Sequence, residues 1–294
     1  MNLKSILAKL AEHPIEEIQK AGWHFQRNDY YSPLNDIQFL RDNPDLWGRP
    51  LSAAGIEWRL DDQLKVAEKF SRYVEELRDI PEESAVAGRF LWQNGMWNNM
   101  DAVVQYGLVR DVKPKRYVEI GCGWSSLLLR DALTKNDCET EVTLIEPYPN
   151  PYIFPHLPAA WERVPSMLQK APLEAFQKLE AGDVLFYDGS HCAKTASDVN
   201  TFFFNILPLV KPGVIIHLHD VFFPNDYPAS WMIERGQTWN EQYLLQAFLM
   251  HNEAYRILIC NSYLAHYKQA ELQALFRGIQ PLTGGSFWMQ KIAE

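Results

Sequence analysis

The second half of the chain alternates short apolar runs with helix-like segments, and this pattern limits the fold more than any other feature. We predict seven strands, at residues 116–120, 141–146, 161–168, 183–188, 214–220, 254–260 and 286–292. Helical patterns follow at 125–135, 173–180, 196–210, 240–252 and 263–276. Such alternation is typical of a parallel sheet with crossover helices. The sequence therefore predicts an α/β fold.

The first part of the chain has a different character. Helical patterns such as residues 60–77 are separated there by aromatic, Pro-rich and Asn-rich loops, and no strand series is evident. We predict an N-terminal helical region over residues 1–110, which covers a substrate pocket, and an α/β domain over residues 111–294.

The net charge and the cysteine content limit which binding partners and which cellular location we expect for this chain. The net charge is −9, and no long run of Lys or Arg occurs, so a nucleic-acid partner is disfavoured. We expect no membrane span and no signal peptide, because charges interrupt every apolar run. Four separated cysteines without a C-x-x-C pair favour reduced thiols and a cytoplasmic location. The oligomeric state cannot be read from the sequence.

The first strand ends in a Gly-x-Gly turn, Gly121-Cys122-Gly123, before a helix. Such a turn lets the backbone approach a ligand, and the free amides of the helix can face a polar group. A dinucleotide fingerprint needs a third glycine where Ser126 stands, and the P-loop Lys is absent. Glu119 would repel a pyrophosphate but would attract an α-ammonium group.

A second acidic residue, Glu146, ends the next strand, where a carboxylate can accept both hydroxyls of a ribose. Together with Glu119 it suits a ligand that has a ribose and a cationic amino-acid tail. S-adenosylmethionine has both features.

Four ordered segments resemble a known family: VEIGCGWSS, LIEPYP, DVLFYDGSH and LPLVKPGVIIHLHD. They are similar to class I S-adenosylmethionine-dependent methyltransferases, and in particular to methyltransferase family 24. The resemblance implies a Rossmann-like, seven-stranded, mostly parallel sheet with an antiparallel last strand. It also implies a cofactor across the carboxyl ends of the strands, where the switch-point rule independently expects one. The implied cofactor-binding residues are Glu119, Gly121, Cys122, Gly123, Ser125, Ser126, Glu146, Pro147, Asp188 and Gly189.

Catalytic candidates lie at the ends of the fourth and fifth strands. His191 follows Asp188 in the segment YDGSH, and His219 precedes Asp220 in HLHD. His191, His219 and Asp220 are predicted to remove a proton from the acceptor, since an imidazole suits that task near neutral pH. Aromatic side chains on loops, Tyr30, Tyr31 and Trp97, are predicted to line the substrate pocket.

A metal ion is not predicted. In catechol-type relatives, carboxylates equivalent to Asp188 and Asp220 hold magnesium with a third oxygen ligand directly after the second carboxylate. Val221 stands at that position and offers no oxygen from its side chain.

The predicted function is methyl transfer from S-adenosylmethionine to a small molecule. Two alternatives keep the same binding residues: another use of the cofactor, such as cyclisation or aminocarboxypropyl transfer, and a binding protein that has lost its chemistry. A nicotinamide dehydrogenase is disfavoured by Ser126 in place of a third glycine.

Overall fold

The computed structural model describes residues 14–24, 27–83, 86–97 and 99–293. The chain divides into two compact units: a smaller one with residues 1–47 and 228–238, and a larger one with residues 48–227 and 239–294. Residues 1–13 of the predicted N-terminal helical region lie outside the described residues. In the described part of the chain, no helix is long and apolar enough to cross a membrane.

The smaller unit contains short helices. They are α1 (Pro14–Lys20), α2 (Ile37–Asp42), α3 (Pro44–Trp47) and a π-helical turn at Ser230–Glu234. The Asp36 side chain accepts a hydrogen bond from the N–H of Phe39 at 3.0 Å and so caps α2. Residues 15–24 and 27–47 bury no side chain.

The larger unit is built on a seven-stranded sheet in the order β3-β2-β1-β4-β5-β7-β6. The strands are β1 (Arg116–Ile120), β2 (Glu141–Ile145), β3 (Glu162–Val164), β4 (Val184–Tyr187), β5 (Ile215–Leu218), β6 (Tyr255–Cys260) and β7 (Phe287–Lys291). Strands β1 to β5 pair in parallel, and β7 is antiparallel to both of its neighbours. This architecture confirms the predicted fold class and its antiparallel last strand.

Two α-helices of the larger unit precede β1, and the others lie between strands along the chain. They are α4 (Leu60–Ser71), α5 (Asn99–Val112), α6 (Trp124–Thr134), α7 (Glu174–Gln177), α8 (Asp198–Thr201), α9 (Glu241–Leu249), α10 (Asn261–Tyr267) and α11 (Gln269–Leu275). Every residue of β4 and of β5 is buried, as expected for strands covered on both faces. Alternate strand residues contribute to two separate apolar cores, one on each face of the sheet.

The division into units falls after Trp47, whereas the sequence predicts a domain boundary at residue 110. The described residues between 48 and 110 belong to the larger unit. Helix α5 packs against both α4 and α6. Gly107 permits the close approach of α4, since a Cβ there would lie 2.5 Å from the Cβ of Phe70. Met100 to Val109 are all buried, so this helix belongs to the core of the larger unit.

Several predicted elements differ in length or type from those observed, and the helix predicted at 173–180 covers only Glu174–Gln177. The strand predicted at 161–168 ends at Val164, because Pro165 has no N–H to continue the ladder. The helix predicted at 196–210 begins as α8 but becomes a π-helix at Phe202–Ile206 and a 3₁₀ turn at Leu207–Leu209. The helix predicted at 263–276 is two helices, α10 and α11, separated at Lys268.

The strand order places β2 on one side of β1 and β4 on the other. The chain therefore winds away from β1 in both directions, and a crevice opens at the carboxyl ends of these strands. The loops after β1, β2, β4 and β5 all begin at this edge of the sheet.

Candidate active site

The Gly-x-Gly turn connects β1 to α6 at the crevice. Gly121 has φ +81°, and a Cβ at this position would lie 1.8 Å from the carbonyl oxygen of Asp188. Side chains larger than hydrogen are therefore excluded where the turn passes the end of β4. Gly123 has extended backbone, with φ −164°, and no described atom lies within 4 Å of a Cβ built there. The space in front of Gly123 is open.

Glu119 lies fully buried near the end of β1. Its Oε1 accepts hydrogen bonds from the hydroxyls of Ser125 at 2.6 Å and Ser126 at 2.9 Å. Its Oε2 has no hydrogen-bond partner among the described residues. Burial raises the pKa of Glu119 to about 8, although the two serine hydroxyls oppose the increase. A buried oxygen without a partner is a place where a ligand donor can bind.

Glu146 joins the loops that follow β1 and β2. Its Oε2 accepts from the N–H of Cys122 at 3.1 Å, and its Oε1 accepts from the N–H of Tyr148 at 2.6 Å. Each carboxylate oxygen has a second lone pair available, so further donors can bind without breaking these bonds.

Two cavities meet at this edge of the sheet. One, of about 390 Å³, is bordered on its apolar side by Ile145, Met167 and Leu168 and also by Pro147. The other, of about 580 Å³, extends over the glycine turn to the residues that follow β4 and β5. The residues that line both are Gly121, Glu146, Asp188, Gly189 and Ser190.

Carboxylates and imidazoles form a cluster at the second cavity. The Nε2 of His191 lies 3.3 Å from Asp188 Oδ1 and 3.4 Å from Asp220 Oδ2. Its Nδ1 lies 3.0 Å from an oxygen of the buried Glu241. One ligand atom from each of Asp188, His191 and Asp220 lies within 4.8 Å of the others, so these three residues could hold a metal ion.

His219 faces the same two aspartates from the other side. Its Nδ1 lies 3.6 Å from Asp188 Oδ2 and 3.7 Å from Asp220 Oδ1, while its Nε2 lies 3.5 Å from Asp101 Oδ2. Asp101 comes from α5 and is itself fixed by the N–H groups of Gly285 and Ser286 and by the amide of Asn261. Each imidazole therefore has a buried carboxylate behind it.

The backbone and two tryptophans complete the cluster. His191 and Asp220 have positive φ angles, +58° and +56°, which non-glycine residues rarely adopt and which are concentrated at functional sites. The ring of Trp239 lies 4.2 Å from that of His191, and the ring of Trp97 lies 4.5 Å from that of His219. These side chains border the second cavity.

Charges around the imidazoles determine their protonation. Burial alone would lower the pKa of His191, but hydrogen bonds to Asp188 and Glu241 outweigh it and raise the pKa to about 10. Burial likewise opposes the charged form of His219, and the charges of Asp220 and Asp188 outweigh it, so its pKa is raised well above the usual value. Burial raises the pKa of Asp220. An imidazole that already holds its proton cannot accept another, so the predicted base role of the two histidines stays a prediction.

The larger unit brings most of the predicted site residues together. The cofactor-binding candidates, His191, His219, Asp220 and Trp97 all belong to it, and Trp97 is buried beside the second cavity. Tyr30 and Tyr31 belong to the smaller unit, are 95% and 88% exposed, and have ring centroids 5.4 Å apart. Their predicted contact with substrate stays a prediction.

Two buried carboxylates of the cluster, Asp101 and Glu241, are not among the residues that the sequence predicts for the site. Asp101 ends residues 91–101, which the sequence predicts as an Asn-rich loop but which form the start of α5 from Asn99 onward. Glu241 begins a helix that contains no motif. No local signal distinguishes either residue, because their partners lie 118 and 50 positions away.

A family model described as a methyltransferase domain, methyltransferase family 24, matches residues 118–221. An uncharacterized protein of Archaeoglobus fulgidus is 32% identical over 158 residues, which cover 51% of this chain and 69% of that protein. Residues 118–221 therefore carry a methyltransferase domain, and the resemblance to methyltransferase family 24 that the sequence predicts is confirmed. S-adenosylmethionine is the methyl donor that this resemblance implies.

Solved methyltransferase structures are more distant. The SAH-bound methyltransferase PaMTH1 of Podospora anserina is 17% identical, with 90% of this chain and 99% of that chain covered and a TM-score of 0.42. The plantazolicin methyltransferase BamL, in complex with a triazolic desmethylPZN analog and SAH, is 14% identical, with 79% and 99% covered and a TM-score of 0.39.

Proposed function

We propose that this methyltransferase transfers the methyl group of S-adenosylmethionine to a small-molecule acceptor. The observation that carries the proposal is the pair of carboxylates at the glycine turn. Glu119 has a buried oxygen without a described partner, and Glu146 borders both cavities. When bound, S-adenosylmethionine supplies a methyl group on a positively charged sulfur.

The residues at the turn fit the two ends of this cofactor. Oε2 of Glu119 would accept a hydrogen bond from the α-ammonium group, and the first amides of α6 would face the carboxylate. Glu146 would accept hydrogen bonds from the ribose hydroxyls, while Met167 and Leu168 offer apolar contact to the adenine. Pro147, Cys122 and Gly189 would contribute contacts from the surrounding loops.

The second cavity suits the acceptor. Its volume of about 580 Å³ falls within the range of small-molecule sites, roughly 300 to 1,000 Å³. Trp97 and Trp239 provide aromatic surfaces there, which favour a cationic sulfur as well as an apolar acceptor. Alignment of acceptor, methyl and sulfur would supply most of the rate enhancement, because methyl transfer is an in-line displacement.

The acceptor would transfer its proton to the cluster of His191, His219 and Asp220, as the sequence predicts. With both imidazoles protonated, Asp220 is the member of the three that keeps a free lone pair, and its raised pKa makes it a stronger base than an ordinary carboxylate. The two imidazoles then hold Asp188 and Asp220 in position through the contacts described above.

A cytoplasmic location is also part of the proposal. It is supported by the four cysteines Cys122, Cys138, Cys192 and Cys260, which are all free thiols. The net charge of −9 argues against a nucleic acid as acceptor.

Two measurements test the proposed function. Calorimetry with S-adenosylhomocysteine should detect one binding site per chain. Incubation with S-adenosylmethionine and pools of metabolites should then yield S-adenosylhomocysteine together with a product heavier by one methyl group. Release of methylthioadenosine instead would point to another use of the cofactor. Absence of binding would favour a protein that has lost its chemistry.

A further inference from the structure

We propose that Asp188, His191 and Asp220 form a binding site for a divalent first-row transition metal ion. Val221 does not supply a third ligand, because its side chain is buried in the core and its N–H donates to the carbonyl of Gly285. The third donor comes instead from His191, which the loop after β4 brings between the two aspartates.

The distances fit a coordination shell. Donor atoms bound at about 2.1 Å with tetrahedral angles lie about 3.4 Å from one another. The Nε2 of His191 lies 3.3 Å from Asp188 Oδ1 and 3.4 Å from Asp220 Oδ2. These separations lie at the long end of the range for hydrogen bonds, and they match two edges of such a shell without movement of the side chains.

Surrounding groups orient each of the three donors. Glu241 binds Nδ1 of His191 and so leaves Nε2 to face the aspartates, as in carboxylate–histidine–metal sites. The carbonyl oxygen of His191 accepts from the N–H groups of Asn240 and Glu241, at 3.0 and 3.2 Å, so ring and backbone are both tied to the start of α9. His219 Nδ1 faces the other oxygens of Asp188 and Asp220, and Asp101 fixes His219 from behind.

The formal charges favour a divalent cation. Four carboxylates, Asp101, Asp188, Asp220 and Glu241, surround the two imidazoles. A bound ion displaces the proton from Nε2 of His191 to solvent, which leaves three negative charges when His219 keeps its proton. Among the described residues that line the second cavity, none is a Lys or an Arg that could balance these charges, and a divalent ion between the aspartates would balance two of them.

The donor types select the kind of ion. Carboxylate oxygens alone suit magnesium or calcium, whereas an imidazole nitrogen beside them favours ions such as Mn²⁺, Co²⁺ or Zn²⁺. On the basis of the proposed function, an acceptor that binds through a hydroxyl would also have its pKa lowered by the ion, so that its proton could pass to a solvent water instead of to Asp220.

Metal binding is measured without turnover. The full chain, stripped with a chelator, is dialysed against Zn²⁺, Mn²⁺, Co²⁺ or Mg²⁺, and bound metal is quantified by mass spectrometry. We expect one ion per chain and at least tenfold tighter binding of Zn²⁺ than of Mg²⁺. Binding of S-adenosylhomocysteine is followed separately by calorimetry, so that loss of the metal site and failure of the proposed function are distinguishable.

Variants locate the site. His191→Ala should weaken Zn²⁺ binding at least a hundredfold, and Glu241→Gln, which keeps shape but removes charge, should weaken it about ten- to hundredfold. His266→Ala is the matched control, since that exposed histidine lies on α10 outside the cluster. Should His191→Ala fail to fold by circular dichroism, Asp220→Asn takes its place. The proposal is overturned if the parent protein retains no ion, if Mg²⁺ binds as tightly as Zn²⁺, or if the cluster variants bind as the control does.

Discussion

Gly121 and Gly123 have different constraints although they stand two positions apart. Gly121→Ala would place a methyl group against the carbonyl of Asp188 and force a positive φ on alanine, so we expect a loss of roughly 2 to 5 kcal/mol in the free energy of unfolding. Gly123→Ala meets no described atom within 4 Å and has extended backbone, so the free energy of unfolding should change little. Urea denaturation of both variants is the measurement.

The same comparison separates folding from binding. A larger side chain at the open position, Gly123→Val, should leave folding intact but weaken S-adenosylhomocysteine binding at least tenfold, because it fills the space next to the turn. Equal affinity of Gly123→Val and the parent in calorimetry would show that the ligand does not bind over this turn.

The raised pKa of Glu119 predicts that ligand binding is coupled to the release of a proton. Its pKa of about 8 means that at pH 7 the carboxyl is mostly protonated in the free protein. An α-ammonium group favours the ionised form and lowers this pKa, so binding should release protons at pH 7 and should release few at pH 9, where Glu119 is already ionised. Affinity should therefore rise with pH up to about 8. Calorimetry at both pH values, in buffers with different ionisation enthalpies, measures the release.

Two controls assign this proton to Glu119. Methylthioadenosine lacks the amino-acid tail and should release almost none, and Glu119→Gln should abolish the release with S-adenosylhomocysteine. If Glu119→Gln releases as many protons as the parent at pH 7, the ammonium group does not bind at this carboxylate.

The residues that the sequence could predict are those beside a local signal. Glu119 and Glu146 end consecutive strands, so their nearness follows from parallel pairing of β1 and β2. Asp101 and Glu241 reach the cluster only through packing of α5 and α9 around the sheet, and the protonation of His191 depends on both of its carboxylate neighbours. Such long-range contacts leave no spacing in the sequence to recognise.

At the scale of elements, Glu146 couples the loops after β1 and β2. Glu146→Ala removes the acceptor for the N–H groups of Cys122 and Tyr148 as well as for the ribose, so we expect S-adenosylhomocysteine to bind about ten- to hundredfold more weakly, or roughly 1.5 to 3 kcal/mol. Glu162→Ala on β3 is the matched control, because its side chain binds only the Thr143 hydroxyl among the contacts described at β2 and β3. Identical affinity of the two variants in calorimetry would exclude Glu146 from the site.

The sequence predicts helices that bury one face and strands that consist of a short apolar run. All seven strands were predicted, because apolar runs between helix patterns are distinctive. Helix α5 was not, because ten consecutive buried residues give it no amphipathic period, and its first turn was interpreted as part of an Asn-rich loop. The π-helical continuation of α8 places Phe202 and Phe203 in the core, and the sequence pattern does not distinguish it from an α-helix.

At the scale of the whole molecule, the two units differ in how many side chains they bury. Residues 27–47 bury no side chain, whereas β4 and β5 bury every residue. Amides in a segment without buried apolar contacts open with little free-energy cost, so residues 27–47 should exchange hydrogen far faster than the strands. Hydrogen exchange followed by mass spectrometry of the full chain measures both.

Ligand addition then tests the prediction that the N-terminal region covers the substrate pocket. S-adenosylhomocysteine should slow exchange at residues 121–126 through direct binding, and it should also slow residues 27–47 if that segment closes over the pocket. Glu146→Ala at the same ligand concentration should show neither effect, because it is expected to bind the ligand more weakly. Slower exchange at 121–126 with unchanged exchange at 27–47 would show that the cofactor binds without this cover, and Tyr30 and Tyr31 would then be removed from the predicted substrate site.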